Sequence, residues 1–518
     1  MRLFTTTAGI RCYLKHHRLG KQVGLVPTMG ALHQGHLSLI QQARRDNDLV
    51  VISIYVNPLQ FGPAEDFQQY PRQLEQDQQI CEAAGVDAIF APNVAEMGAE
   101  GNAATTSSPG ITQVVPPASM ISSLCGRSRI GHFQGVATIV TKLLNLIQPE
   151  RAYFGEKDAQ QLAIIRQLVA DLNLVVEIVG CPIVREASGL AYSSRNQYLS
   201  AEQKEQAAVL YRALQQAENR FRAGEQNATS LIAAAMTEVA SVRAVELEYI
   251  ELVHPKTLAP LDKIDTQALL AIAARLGSTR LIDNMVLRNR QPIVAIDGPA
   301  GAGKSTVTRQ VAETLGLLYL DTGAMYRAVT WLVLQSGISI DDEPAIAELV
   351  SQCEIKLETS DTSQMQVRVW INQQEVTQAI RSLEVTSQVS AIAAQSAVRQ
   401  ALVKQQQRWG ETGGVVAEGR DIGTHVFPDA EVKIFLTASV EERARRRQKD
   451  LKNQGQTDVS LEQLKQAIQE RDDKDSNRNL APLRKAADAI EIQTDTLSIV
   501  EVTHNIISLY HQKLSASR

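Results

Sequence analysis

A chain of 518 residues, 44% apolar and 21% charged, exceeds what one hydrophobic core spans and reads as two or three globular domains. Its formal net charge of −5 and mixed charge pattern give no broad basic surface, which argues against nucleic acid or an anionic membrane as partner. Five scattered cysteines, at 12, 81, 125, 181 and 353, with no CxxC spacing, fit neither a disulfide framework nor a zinc site and suit a reducing cytoplasm.

Met1 to Ile10 lacks a charged segment followed by a long apolar run, and no window reaches membrane-spanning length, so the chain reads as soluble with no membrane partner. From Val23 the pattern alternates: strand 23–26, helix from His36 to Arg45, strand Leu49 to Val56, helix Pro71 to Ala84, strand Val86 to Ala91. That is the rhythm of a parallel sheet with crossover helices. Residues 97–117, rich in Gly, Ala, Ser, Thr and Pro, read as a surface loop. Helix His132 to Ile147, strand Arg151 to Phe154, helix Ala159 to Leu172 and strand Leu174 to Val179 resume the alternation. Ser200 and Gln203 offer a capping box, followed by helices to Val239 and strands at 244–253 and 268–274, a smaller α+β unit.

The polar segment Leu287 to Gln291 marks the expected boundary between halves. Beyond it come strand 293–296, a glycine loop, a helix through Leu315, strand Leu317 to Leu320 and a helix from Ala324. Strand Val367 to Ile371, one long helical stretch Ser382 to Arg408, strands 415–417 and 432–436 and a closing helix 497–514 complete a second α/β reading. No internal repeat links the halves.

Two phosphate-handling signatures follow short apolar strands and precede helices, the setting in which a glycine-rich turn presents backbone N–H groups and a helix N-terminus to phosphate. The first is Pro27-Thr28-Met29-Gly30-Ala31-Leu32-His33-Gln34-Gly35-His36. Two imidazoles at a helix N-terminus can donate to an α-phosphate as charge spreads over it, while the glycines let a nucleotide approach the backbone. Capping and packing of a turn by the same histidines is the bland alternative. The longer string through Leu39 resembles pantothenate synthetases (pantoate–β-alanine ligases), and so do Val56-Asn57-Pro58-Leu59-Gln60-Phe61-Gly62, Gly155-Glu156-Lys157-Asp158-Ala159-Gln160-Gln161 and Ser193-Ser194-Arg195-Asn196.

Over residues 1–287 the resemblance implies a Rossmann-like HxGH nucleotidyltransferase-type domain (1–187) with a smaller α+β subdomain (188–287). Pantoate would attack the α-phosphate of ATP to give pantoyl adenylate and pyrophosphate, and β-alanine would then displace AMP. On that reading His33 and His36 stabilise adenylyl transfer, and Lys157 and Arg195 bring positive charge to the phosphates. Met29, Gly30, Gly35, Gly155, Glu156, Tyr192, Ser193 and Ser194 line the ATP site. Asp158 meets the ribose or orders its loop, and Gln60 and Gln161 hold pantoate, with Gln60 also near β-alanine. Dimerisation through this domain is a further expectation of the resemblance. Another HxGH adenylyltransferase remains the alternative for this half.

The second signature, GxxxxGK[ST], is carried by Gly298, Gly303, Lys304 and Ser305, with Gly301 and Thr306 in the same turn and helix start. Backbone amides cradle phosphates, Lys304 reaches the β/γ oxygens and the Ser305 hydroxyl is placed for Mg²⁺. A P-loop alone does not separate kinase, GTPase and ATPase. Tyr319 to Arg327, Glu418 to Thr424 and Arg471-Asp472 to Pro482 resemble cytidylate kinases, which implies a P-loop nucleoside monophosphate kinase domain over 292–518 acting on CMP or dCMP with ATP and Mg²⁺. Under that resemblance Thr322, Arg327, Ser390, Arg399, Arg420, Asp421, Arg471 and Arg478 form the acceptor site, where arginines can clasp the monophosphate in bidentate fashion. The run Arg443, Arg445, Arg446 and Arg447 reads as a mobile lid, a solvated helix face being its bland alternative. A different monophosphate kinase, or a slow-turnover regulatory protein retaining both pockets, stays open from the residues alone.

Overall fold

A computed structural model describes all residues except 63–64, 99–110, 360–366, 454–459, 479 and 517–518. Most of the anticipated 97–117 loop lies outside the described residues. The chain folds as two compact units, Met1–Asn289 and Arg290–Arg518.

In the first unit six parallel strands, β1 (Arg2–Phe4), β2 (Val23–Thr28), β3 (Leu49–Ile54), β4 (Ala88–Phe90), β5 (Arg151–Gly155) and β6 (Glu177–Cys181), lie in the order β1-β4-β3-β2-β5-β6. The chain runs outward from β2 in one direction through β3 and β4, and in the other through β5 and β6. The switch point therefore falls between β2 and β5, where such sheets open a crevice at the carboxyl ends of the strands. Helices cover both faces, so the middle strands read as unbroken apolar runs: Val23, Leu25 and Val26 and Val50 to Ile52 are all fully buried.

A second, antiparallel sheet of β7 (Val245–Val253), β8 (Gln267–Leu276) and β9 (Thr279–Arg288) packs one face on helices Val209–Arg222 and Ala228–Ala240. Its other face meets Phe133, Ala163 and Ile164, carried by helices His132–Ile147 and Ala159–Asp171 that cover the first sheet. The capping box at Ser200 and Gln203 is formed. Strand β1 and helix Thr7–His17 were not anticipated, and β9 only as a strand-like run of no stated bounds before the boundary at Leu287; β1 is too short to show a period, and the polar pair Asp283-Asn284 interrupts the apolar run of β9.

The second unit carries parallel strands β10 (Val294–Asp297), β11 (Leu318–Asp321), β15 (Val415–Gly419), β16 (Val432–Thr437) and β17 (Ile490–Gln493) in the order β11-β15-β10-β16-β17. A small antiparallel sheet joins β12 (Ile355–Thr359), β13 (Val367–Ile371) and β14 (Gln374–Glu375). The expected single helix 382–408 is two, Leu383–Ala394 and Ser396–Gly410. Gln395 between them is extended, at φ −72° and ψ 133°, and its side chain donates to Ile340 O at 2.9 Å, which anchors the break.

Candidate active sites

In the first unit the loop after β2 and the loop after β5 flank the switch point. Gly30 (φ +81°) and Ala31 (φ +49°) turn the chain back towards the sheet, and a Cβ at Gly30 would lie 2.9 Å from Asp77 Oδ2 and 3.0 Å from Ile54 Cγ2. His33 then caps helix Gln34–Asp46: its Nδ1 accepts from Gly35 N at 3.1 Å. An acceptor Nδ1 leaves the proton of the neutral imidazole on Nε2, as a donor. The His33 and His36 rings sit 4.1 Å apart, with Tyr192 6.1 Å from His33. Burial, then the Lys157 charge, lowers His33 to about 4; burial, then His33 and Lys157, lowers His36 to about 3. Both imidazoles are neutral donors at physiological pH.

Lys157 follows β5. Burial pulls its ammonium below the usual lysine range, against Asp283 and Asp158, which pull it up. Asp158 caps helix Ala159–Asp171, its Oδ1 accepting from Gln161 N at 3.2 Å, so in this structure it orders the loop. Glu156 is exposed, and Gly155 and Gln161 are half-buried. Gln60 Nε2 reaches Met29 Sδ at 2.9 Å, and its Oε1 accepts from Asn57 Nδ2 at 3.1 Å. Ser193 Oγ accepts from Arg195 N, and Ser194 Oγ donates to Ala31 O at 3.2 Å, which ties the serine turn to the HxGH loop. Arg195 grips Asp66 in a bidentate pair at 2.9 and 2.8 Å, so a phosphate approaching it must compete with a carboxylate.

Three residues around this site had no assignment from sequence. Asp77 accepts from Ala31 N and Leu32 N. His132 donates from Nδ1 to Gln60 O at 2.8 Å and accepts from Arg129 Nη1, while Arg129 is held by Glu65. Asn284 donates to the carbonyls of Glu156 and Lys157. Each acts on the backbone of another element, a relation no local motif records.

In the second unit the P-loop follows the central strand β10. Gly298 lies at φ +147°, and a Cβ there would stand 2.0 Å from Leu436 O of β16; only glycine fits. Gly301 and Gly303 have φ of +79° and +89°, and Gly303 caps helix Lys304–Leu315. Lys304 Nζ donates to Gly298 O and Pro299 O, both at 2.7 Å. Burial, reinforced by Arg420, holds it well below the ordinary lysine pKa. Ser305 Oγ donates to Glu418 Oε2 at 2.9 Å, and Tyr319 OH donates to the other oxygen of Glu418. Burial, then Asp321, raises that carboxyl. Thr322 Oγ1 donates to Glu418 O at 2.6 Å; Thr306 is exposed.

Asp421 sits buried between Arg399 and Arg478, the second at 3.1 Å. Burial alone raises its carboxyl, but the two guanidinium groups outweigh it and the net shift is downward. Arg420 pairs with Asp475 at 2.8 Å and Arg327 with Asp321 at 3.4 Å. Ser390 is half-buried on its helix, and Arg471 lies exposed on helix Leu461–Asn477. Asp297, unassigned from sequence, accepts from Ile422 N and Gly423 N at 2.8 and 2.7 Å and so fixes the turn after Asp421; burial pushes it up to about 6.

The four arginines of the expected lid divide. Arg443 is buried, donating to Ala300 O of the P-loop and pairing with Asp472 at 2.6 Å; it is a bracket under the phosphate loop rather than an exposed lid residue. Arg446 donates to Thr494 Oγ1 and O and pairs with Glu442. Arg445 and Arg447 are exposed.

The two parallel sheets, each with a glycine-rich turn after a strand, one leading into the His33 and His36 pair and the other a P-loop, define a two-unit α/β enzyme. The family model for pantoate-beta-alanine ligase matches residues 2–286 and that for cytidylate kinase residues 294–512. The chain belongs to both families, one per unit. It is 66% identical to the bifunctional pantoate ligase/cytidylate kinase of Trichormus variabilis, covering 99% of this chain and 100% of that one. Against the protein of the same description from Trichodesmium erythraeum it is 58% identical, covering 98% and 97%. The crystal structure of pantothenate synthetase from Thermus thermophilus is 46% identical with a TM-score of 0.51, covering 55% of this chain and 99% of that one.

Proposed function

We infer that the chain is a bifunctional enzyme: it condenses pantoate with β-alanine in an ATP-dependent reaction, and it phosphorylates CMP with ATP. We assign the first activity to residues 1–287, with 1–187 binding nucleotide and 188–287 forming the smaller subdomain, and the second to residues 292–518. The observation that carries the reading is that both glycine turns lie at the switch points of their sheets, each faced by a lysine or imidazole donor set suited to phosphate.

In the first site a pantoate carboxylate oxygen attacks the α-phosphorus of ATP and pyrophosphate leaves. The β-alanine amine then attacks the acyl carbon and AMP leaves. His33 and His36, neutral donors, meet the charge that spreads over the α-phosphate oxygens. Lys157 and Arg195 hold the phosphate chain, with Met29, Gly30, Gly35, Gly155, Glu156, Tyr192, Ser193 and Ser194 around the nucleotide, and Gln60 and Gln161 orient the hydroxy acid and the amine. Asp158 serves by capping its helix.

In the second site a CMP phosphate oxygen attacks the γ-phosphorus and ADP leaves. Gly298, Gly301, Gly303 and Thr306 shape the loop, Lys304 leaves its two carbonyls for the β/γ oxygens, and Arg327, Arg399, Arg420, Arg471 and Arg478 hold the acceptor. Ser390, Asp421 and Thr322 face the nucleoside, and Arg446 and Arg447 close on the transferring group. A hydroxyl and a buried carboxylate at Ser305 and Glu418 are the hard oxygen donors that suit Mg²⁺, which when bound neutralises charge on the phosphates. No described helix is long and apolar enough to cross a membrane. A reducing, cytoplasmic setting, read from the scattered cysteine positions, goes with this reading. A homodimer through the first unit accompanies this reading.

The test supplies ATP–Mg²⁺ to the purified chain with pantoate plus β-alanine, and separately with CMP. AMP and pyrophosphate in the first tube and ADP with CDP in the second are expected. ADP without AMP would remove the ligase assignment and leave the kinase.

A further inference from the structure

Along β9 side chains alternate between two packed faces. Leu281, Met285 and Leu287 join the core under helices Val209–Arg222 and Ala228–Ala240, whereas Ile282 and Val286 join the core shared with Phe133 and Ile164 of the nucleotide-binding part. A period of two places Asn284 on the second face, towards the loop after β5. There its single amide nitrogen donates to Glu156 O at 2.9 Å and Lys157 O at 2.8 Å. Asn284 is 6% exposed, so its amide is withdrawn from solvent and makes these two bonds in the protein interior.

The strand carrying Asn284 is itself pinned. Asp283 accepts from Asn284 N at 2.8 Å and holds Arg185 in a bidentate pair at 2.6 and 3.0 Å. Arg185 also donates to Gly189 O and stacks 3.9 Å over the Tyr211 ring. An apolar side chain would serve the core at position 284 equally well, and an amide there is costly unless its hydrogen bonds are made. The bonds it makes are to the backbone of Lys157 and its neighbour.

We propose that Asn284 is a positioning residue for adenylyl transfer: the smaller subdomain fixes the direction of the Lys157 ammonium by clasping the two peptide carbonyls that flank its Cα. This rests on the reading of Lys157 as a phosphate-binding group. A clasp on the lysine backbone acts on the transition state more than on pantoate affinity, because it sets where the charge stands.

The experiment measures pantoate-dependent pyrophosphate release by the full chain without β-alanine, over pH 6 to 10. Asn284→Leu keeps the branching and heavy-atom count of the side chain and removes the donor; Asn284→Asp keeps the shape, removes the donor and brings a carboxylate towards Lys157. Both are expected to lower the rate at saturating substrate by about tenfold or more while the KM for pantoate stays within about twofold. Asn284→Asp should also move the basic limb of the pH profile upward, since a nearby anion stabilises the protonated lysine. A packing role alone predicts that Asn284→Leu retains wild-type turnover, and that result, or an unmoved basic limb in Asn284→Asp, overturns the proposal. Lys157→Ala is measured alongside: if it keeps the wild-type rate, the reading of Lys157 fails; if it loses activity while Asn284→Leu does not, the clasp fails and Lys157 stands.

Discussion

The carboxylate of Asp77 accepts the backbone N–H groups of Ala31 and Leu32 at 3.0 and 2.8 Å and is 1% exposed. It holds open the left-handed turn at Gly30 and Ala31 from which His33 is presented. Asp77→Ala leaves two buried donors unsatisfied, each worth about 1–3 kcal/mol, and lets the turn relax. We expect pyrophosphate release to fall by about tenfold to a hundredfold, with a lower melting temperature for the first unit and CMP phosphorylation on the same chain unchanged. Wild-type ligase turnover in this variant would show that the turn holds itself.

His33 and His36 should not titrate where histidines usually do. Their folded pKa values of about 4 and about 3 lie below the ordinary 6.5, so between those limits the folded protein binds fewer protons than the unfolded chain. The stability they contribute is full above about 6.5 and is lost as the pH falls through about 4. Adenylation followed by stopped-time pyrophosphate release should therefore show no acid limb between pH 8 and 5, and thermal melts of the first unit should drop below pH 6.5. An acid limb at 6.5 would mean that the imidazoles face solvent.

Both glycine turns were legible because the chemistry lies in one contiguous string: a strand, a turn that only glycine fits, and a helix start. The parallel sheets followed from apolar runs long enough to show a period. What escaped is what acts across elements. Asp77 sits in a helix beside Glu75, where an acidic residue reads as a solvated first turn. Asp297 and Glu418 end strands, and their partners, the turn at Ile422 and Gly423 and the hydroxyl of Ser305, are more than a hundred residues away. Arg443 looked like one of four equivalent arginines, and only the fold separates the one under the P-loop from the two in solvent. Gln395 shows the same limit for secondary structure, since its helix break is set by a bond to Ile340.

The two activities should separate cleanly at Lys304. Its ammonium is held on Gly298 O and Pro299 O, inside the loop that would bind the phosphates. Lys304→Ala removes that charge from the transferring group, and a fall of about a thousandfold or more in CDP formation is expected. Pantothenate formation should continue at the wild-type rate. Loss of both activities in a variant with an unchanged melting profile would contradict independent sites.

Glu418 gives the sharpest test of where the kinase holds its metal. Its buried carboxylate takes hydrogen bonds from Ser305 and Tyr319 on its two oxygens, and burial raises its pKa, so the charged form is costly unless a cation stands beside it. The Lys304 ammonium favours the ionised form. A divalent ion at Ser305 would favour it further. Glu418→Gln keeps the shape and an acceptor for Ser305 but removes the charge. The Mg²⁺ concentration giving half the maximal rate of CMP phosphorylation should rise by about tenfold, with the KM for CMP within about twofold, because the acceptor-site arginines are untouched. Should the Mg²⁺ dependence stay where it is while turnover falls, Glu418 acts by ordering Ser305 and Tyr319 and not by its charge.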